Sequence, residues 1–184
     1  VLPYDTLKDF APISLVNQAP FVVVVHPSLP VKNIRELVAF AKARPGQLTY
    51  GTPSGTATIC MESLKLKTGI DLAQVAYKSS PQSVTELIAG QTTSICSDFA
   101  TAAPHINSGK VRALGVTSKE RTPVVPDVPA IAETLPGFDI NSWTTLTGPA
   151  KLPPEIVARL SELSRKALES DDLKAKFFDL AATA

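Results

Sequence analysis

The chain has 184 residues, 44% of them hydrophobic and 19% charged, with a formal net charge of +1. This composition supports a buried core and excludes intrinsic disorder, and the length allows one domain or two small lobes. Lysines and arginines are scattered, which excludes a nucleic-acid surface built on a basic patch, and no apolar run reaches the roughly 18 residues of a membrane span.

Residues 1–10 read as an irregular lead-in, and VLPYDTLKDF carries no basic stretch followed by an apolar one, so no secretory signal is visible in it. A strand is predicted over Ala11–Val16, a break over Asn17–Pro20 and a β-branched strand over Phe21–His26, closed by Pro27 and Pro30. Asn33 then opens a helix, with Glu36 in capping-box position and Ile34, Leu37, Val38 and Ala41 as its apolar stripe. Pro45–Gly46 ends it.

The next stretch, LTYGTPSGTATICMESLKL from Leu48 to Leu66, is the most informative in the chain. It reads as a short strand (Leu48–Tyr50), a hydroxyl-rich glycine loop (Gly51–Thr58) and a helix burying Ala57, Cys60, Met61 and Leu64. Two readings stand side by side. A helix start has unpaired N–H groups at the positive end of its dipole, glycines at 51 and 55 allow close approach, and Thr52, Ser54, Thr56 and Thr58 add hydroxyls without charge: a seat for a carboxylate. The alternative is a plain strand-to-helix turn with one threonine as N-cap.

Leu72–Tyr77 is a strand, and Ser80 caps a helix with Pro81 at its first position and Val84, Leu87 and Ile88 inward. Thr93–Ser97 is a strand, Asp98–Ser108 a helix broken by Pro104, and Val111–Thr117 a further strand. The β-α alternation over residues 21–117 predicts right-handed crossovers and a mostly parallel sheet covered on both faces. Beyond it, Arg121–Pro136 is loop-rich with one helical turn near Ala130–Thr134, and Phe138–Trp143 and Thr144–Thr147 are short extended pieces. Pro154 opens an amphipathic helix with Ile156, Val157, Leu160, Leu163, Ala167 and Leu168 on one face. A last helix starts at Ser170 or Asp171, with Leu173, Phe177 and Leu180 inward. Segments 1–16 and 118–184 thus hold two good helices and few strands to pack them on.

In open α/β sheets ligands bind at the carboxyl ends of strands, and four positions qualify: Gly51–Thr58, Tyr77–Ser80, Ser97–Phe99 and His26. Tyr77 either presents its ring and hydroxyl to a ligand or packs half-buried. Lys78 either neutralises an anion or lies solvated. Asp98 either accepts from a ligand hydroxyl, amine or water or caps the helix that begins there. His26 and His105 are read as structural, and Trp143 as lining a cleft or anchoring a core. The two cysteines, Cys60 and Cys96, show no metal-binding spacing and are read as buried free thiols in preference to a disulfide; no cofactor is expected. The serine of GTPSG falls one place too late for G-x-S-x-G, and neither a Walker A lysine nor GxGxxG is present. A Ser54–His26–Asp98 triad can be drawn, but nothing in the spacing supports it.

Several runs carry a resemblance: FAPISLV, VVVVHPSLPVKNIRELVAFAKARPGQLTYGTPSGT, YKSSPQSVTELIAGQ, SDF, PHINSGKVRALGVTS, ER-x-P-x-x-PDVPAIAE and W-x-x-L-x-x-P. In that order, and over essentially the whole chain, they resemble the tripartite tricarboxylate transporter substrate-binding proteins, the TctC or Bug family. The resemblance implies an α/β, periplasmic-binding-protein type II-like fold: one complete lobe with a parallel-rich sheet, over residues 20–115, plus an incomplete second lobe. Residues 1–19 would be a crossover and lobe-one remnant, and residues 116–184 the remainder of lobe one.

It further implies a periplasmic receptor that closes on a small organic acid, a mono- or dicarboxylate, and hands it to membrane permease subunits without covalent chemistry. Thr52, Ser54, Gly55, Thr56 and Thr58 would hold a ligand carboxylate, with Tyr77, Lys78 and Asp98 close to the cleft. The loop departs from the family pattern at Pro53–Ser54, where Gly-Asn is common, and looks one residue short. Family members also extend further at both ends, so self-association through the incomplete lobe is expected. The competing readings are a sensor or protein-interaction module that keeps the receptor lobe, and a hydrolase or acyltransferase using Ser54.

Overall fold

The valine run Val22–Val25 is fully buried inside a mixed sheet. The computed structural model describes residues 3–183; Val1 and Leu2 of the expected lead-in, and Ala184, lie outside the described residues. In order, the elements are β1 (Phe10–Val25), α1 (Ile34–Lys42), β2 (Leu48–Thr52), α2 (Gly55–Thr68), β3 (Leu72–Ala76), α3 (Ser80–Ile88), β4 (Ser94–Asp98), α4 (Phe99–Asn107), β5 (Arg112–Val116), a 3-10 turn (Ile131–Glu133), β6 (Asn141–Pro149), α5 (Pro154–Leu168) and α6 (Asp171–Asp179). The chain divides into a larger unit, Pro20–Ser142, and a smaller one, Val1–Ala19 with Trp143–Ala184.

In the larger unit the strands run in the order β3-β2-β4-β1-β5. β2 is parallel to β3 and β4, whereas β1 is antiparallel to both its neighbours, β4 and β5. Four strands therefore point one way and β1 the other. The expected succession of parallel crossovers is corrected at β1: it runs against β4 and β5, and so against β2, which makes the connection through α1 a link between opposed strands rather than a right-handed parallel crossover. Nor does β1 break at Asn17–Pro20. It is continuous over 16 residues, because proline's φ suits an extended chain and its missing N–H costs nothing where no ladder bond is needed.

Local chemistry explains the helices. Asn33 accepts from the Glu36 N–H at 2.9 Å, and the Glu36 carboxylate reaches back to the Lys32 N–H at 2.7 Å, one residue beyond the expected capping box. The stripe of Ile34, Leu37 and Ala41 packs in one apolar cluster with Cys60, Met61 and Leu64 of α2. α4 is not broken at Pro104. Only one backbone donor is lost there, and Ser108 closes the turn on the Pro104 carbonyl through N (3.2 Å) and Oγ (2.9 Å).

The larger unit reaches further than the expected boundary at 115/116. An added Cβ at Gly115 would lie 2.8 Å from Ile131, so the bare backbone admits that side chain. Ile131 and Phe138 are fully buried, and the Val116 and Ile140 N–H groups donate to Pro129 and Thr117 carbonyls at 2.9 Å each. Residues 116–142 are thereby fastened to β5 and belong to this unit, not to the remainder of the smaller one.

In the smaller unit β6 is one strand rather than two pieces, and it pairs with β1. Gln18 and Thr183 exchange backbone hydrogen bonds at 2.8 and 2.7 Å. No residue of α5 or α6 is buried, and Leu180, expected inward, is 45% exposed. Trp143 is 65% exposed, which overturns its reading as a core anchor.

Candidate functional site

Because β2, β3, β4 and β5 all end on one edge, three of the four candidate loops meet there. In sheet order they are Tyr77–Ser80 after β3, Pro53–Ser54 after β2 and Asp98 at the end of β4; Phe21, where β1 enters the larger unit, pairs with Asp98. His26 does not join them. β1 runs the opposite way, so His26 lies at the far edge, its N–H on the Thr93 carbonyl at 3.3 Å and its Nδ1 2.7 Å from Ser28 Oγ. The drawn triad is thus divided between two edges, and Ser54 gains no base from His26.

The glycine loop is shorter than the sequence suggests. β2 takes in Gly51 and Thr52, and α2 already begins at Gly55, leaving Pro53–Ser54 as the connection. Ser54, not a threonine, is the N-cap, accepting from the Ala57 N–H at 3.3 Å. Thr58 turns its hydroxyl back onto the Ser54 carbonyl at 3.0 Å. Thr52 is 5% exposed, and its hydroxyl accepts from Gln74 Nε2 at 2.9 Å. An added Cβ at Gly51 would meet Ile95 at 2.8 Å and the Tyr77 ring at 3.0 Å. Gly51 therefore admits protein atoms, whereas Gly55 has nothing within 4 Å of that position. Among the described residues the Gly55 and Thr56 N–H groups and the Thr56 hydroxyl have no hydrogen-bond partner. The open donors are thus Ser54, Gly55 and Thr56.

The neighbouring loops repeat the design. Ser79, one residue earlier than expected, caps α3 by accepting from the Gln82 N–H at 3.4 Å, with Pro81 in the first turn. Asp98 caps α4, its Oδ1 accepting from the Thr101 N–H at 2.8 Å. Lys78 is exposed and forms no ion pair among the described residues. Three helices, α2, α3 and α4, thus begin along one sheet edge, and their positive dipole ends add there. The sequence offered no periodic signal for Ser79, nor for Thr117. Thr117 is fully buried: its Oγ1 accepts from the Phe21 N–H at 2.7 Å and its N–H donates to the Phe21 carbonyl at 2.9 Å, pinning β1 where it enters the larger unit.

Tyr77 lies over Gly51 with its N–H on the Thr52 carbonyl at 3.2 Å. Burial pushes its phenol up, the Glu86 carboxylate adds to this, and the Thr92 hydroxyl opposes it. That hydroxyl is itself buried without a partner of good geometry. Behind the edge, the Tyr50 hydroxyl donates to Glu62, whose carboxylate is also 2.9 Å from Lys65 Nζ. Burial foremost, then Glu62, raises the Tyr50 phenol, while that hydrogen bond and Lys65 lower the carboxyl of Glu62. Cys60 and Cys96 are buried and free. Burial first, and the neighbouring Cys60 thiol second, push the Cys96 thiol well up.

The model of the tripartite tricarboxylate transporter family receptors, TctC, matches residues 1–180. Protein BugT of Bordetella pertussis is 31% identical over 185 residues, covering 99% of this chain and 57% of BugT. An R. palustris protein solved with adipate superposes with a TM-score of 0.91 at 31% identity, over 100% of this chain and 62% of that one. MatC from Rhodopseudomonas palustris, with bound malate, gives a TM-score of 0.86 at 29% identity, over 99% of this chain and 63% of that one. The chain spans about half the length of the curated relatives it matches.

Proposed function

The chain belongs to the tripartite tricarboxylate transporter receptor family, and on that premise we propose that it binds a small organic carboxylate in the periplasm and delivers it to a membrane permease. The observation that carries this reading is the set of unused donors at the start of α2, Ser54, Gly55 and Thr56, on an edge where three helices begin. A ligand carboxylate there accepts from the Gly55 and Thr56 N–H groups and from the two hydroxyls. Hydrogen bonds to a charged group contribute about 1.5–3 kcal/mol each, so two or three of them hold the acid reversibly.

Thr52 and Thr58 act behind this contact, holding the strand end and the first helical turn, and Tyr77 fills the space over Gly51. Lys78 supplies a positive field that draws anions to the edge. No bond is made or broken. Ser54 gives one of its two lone pairs to the helix cap, and His26, which could serve as a base, stands at the other edge. The adipate and malate of the similar structures support a dicarboxylate as the cargo.

A thermal-shift screen of aliphatic mono- and dicarboxylates, amino acids and aromatic acids, on this chain and on a version extended to the length of its relatives, tests the reading. A rise in Tm with dicarboxylates is expected. The absence of a shift with every acid in both proteins contradicts it.

A further inference from the structure

We infer that the larger unit carries a second anion site, at the sheet edge opposite the α2 donors, where Arg112 holds the carboxylate of a small acid with an apolar body. This site is separate from the one in the receptor reading, and either can fail without the other.

Arg112 is the first residue of β5, the outermost strand on its side, and pairs with Val25 at the edge where β1 leaves the sheet. Its Nη1 donates to the Leu29 carbonyl at 2.9 Å and to the Val31 carbonyl at 3.0 Å. Those bonds use both hydrogens of Nη1 and fix the plane of the guanidinium. Nε–H and Nη2 have no partner among the described residues, and no carboxylate there lies within ion-pair distance of the group. Nε and Nη2 form the side-on fork, two parallel N–H groups spaced for the two oxygens of one carboxylate. A half-buried full charge, already oriented, is thus left without a counter-ion.

The surroundings give the rest of the ligand. Arg112 lines a cleft of about 350 Å³ together with Pro27, Ile106, Gly109, Val111 and Val128, and no acidic side chain lines it. The walls are apolar, and the volume is at the small end for ligand pockets, which suits a free acid of a few carbons rather than a peptide. The C-terminal end of α4 borders the cleft at Ile106, and its dipole, about half a negative charge, opposes an anion. The Pro104, His105 and Ile106 carbonyls are, however, already taken by the N–H groups of Ser108, Gly109, Lys110 and Val111. The whole charge of Arg112 outweighs that half charge. A guanidinium that only ties down the loop after β1 needs Nη1 alone, and predicts no response to an acid.

An NMR titration of this chain with 3-methylbutanoate, and with its neutral isostere 3-methylbutanamide, separates the cases. The acid is expected to give saturable shifts at the Gly109, Arg112 and Ala113 amides and at the Arg112 Nε–H. The amide should bind about tenfold or more weakly, having lost the charged hydrogen bonds. Arg112→Lys keeps a charge but not the fork and should lose most of the response. The comparison of acid with amide on the wild type holds even if that variant disturbs the loop. Gly55→Pro, which removes a donor at the α2 edge, should leave these shifts unchanged. No saturation by about 50 mM acid, or an equal response to acid and amide, overturns the site and leaves the receptor reading standing. Shifts that vanish in Gly55→Pro overturn it too, as an echo of binding at the other edge. Tighter binding of a tetrapeptide ending in valine than of the free acid overturns the assignment to a small ligand.

Discussion

At the scale of single residues, two glycines four positions apart have opposite duties, and only their surroundings tell them apart. Gly51 sits under Ile95 and the Tyr77 ring, whereas Gly55 opens onto empty space. Gly51→Ala should cost about 1–3 kcal/mol, as overpacking of a filled site does. Gly55→Ala should be neutral or slightly stabilising, since alanine is the better helix former. Urea unfolding of both variants reads this directly, and equal stability of the two contradicts it. The sequence makes both glycines look alike, because it shows the backbone freedom of each but not what occupies the space that freedom leaves. Likewise, it names the hydroxyls of Thr52, Ser54, Thr56 and Thr58 as a set. Folding then commits Thr52 to Gln74 and Thr58 to Ser54, leaving Ser54 and Thr56 at the opening.

At the scale of elements, what was legible was local. The Asn33 cap and the buried stripes of α1 and α2 rest on contacts within a turn or two, and periodicity reports those. Strand direction is not local: nothing within Phe21–His26 says that its neighbours β4 and β5 run against it. That single reversal moved His26 to the far edge and left three loops, not four, to share a site.

The segment 117–140 carries its own testable device. The Arg121 guanidinium pairs with both Glu133 oxygens at 2.7 and 2.8 Å and donates to the Pro126 carbonyl at 3.1 Å. The Ala130 N–H donates to Glu133 at 2.9 Å. Arg121 first, and Ala130 second, hold the Glu133 carboxyl down to about 2 from its ordinary 4.5. A carboxyl depressed in the folded state contributes its stabilisation above the unfolded value and loses it as pH falls. The clasp should therefore be intact above pH 4.5 and be released on acidification toward 2. In an NMR titration the Ala130 amide should move with a midpoint near 2, and Glu133→Gln should abolish the movement. A midpoint at 4.5 contradicts the clasp.

At the scale of the whole molecule, the exposed apolar side chains are divided unequally. Among the described residues, Ile59 and Leu66 are the exposed large hydrophobics of the larger unit. The others belong to the smaller one, led by Leu7 at 92%, Trp143 at 65% and Phe178 at 53%. The shortage of strands for α5 and α6 was readable from element counting, since an amphipathic helix without a sheet has nowhere to bury its stripe. We propose that copies of this chain associate through those faces. Light scattering should give a mass rising with concentration above 19.5 kDa; a monomer mass throughout contradicts this.

The central claim is that the start of α2 seats a carboxylate on backbone donors, and one substitution isolates it. Proline is favoured at the first position of a helix, and Ser54, at φ −155 and ψ 166, already has the extended conformation that precedes one. Gly55→Pro therefore removes the Gly55 N–H while keeping the fold. Titration calorimetry of the protein with its best-binding acid from the screen should show affinity falling about tenfold or more, the loss of one hydrogen bond to a charged group, with Tm in the absence of ligand unchanged or raised. Wild-type affinity in Gly55→Pro would contradict the account.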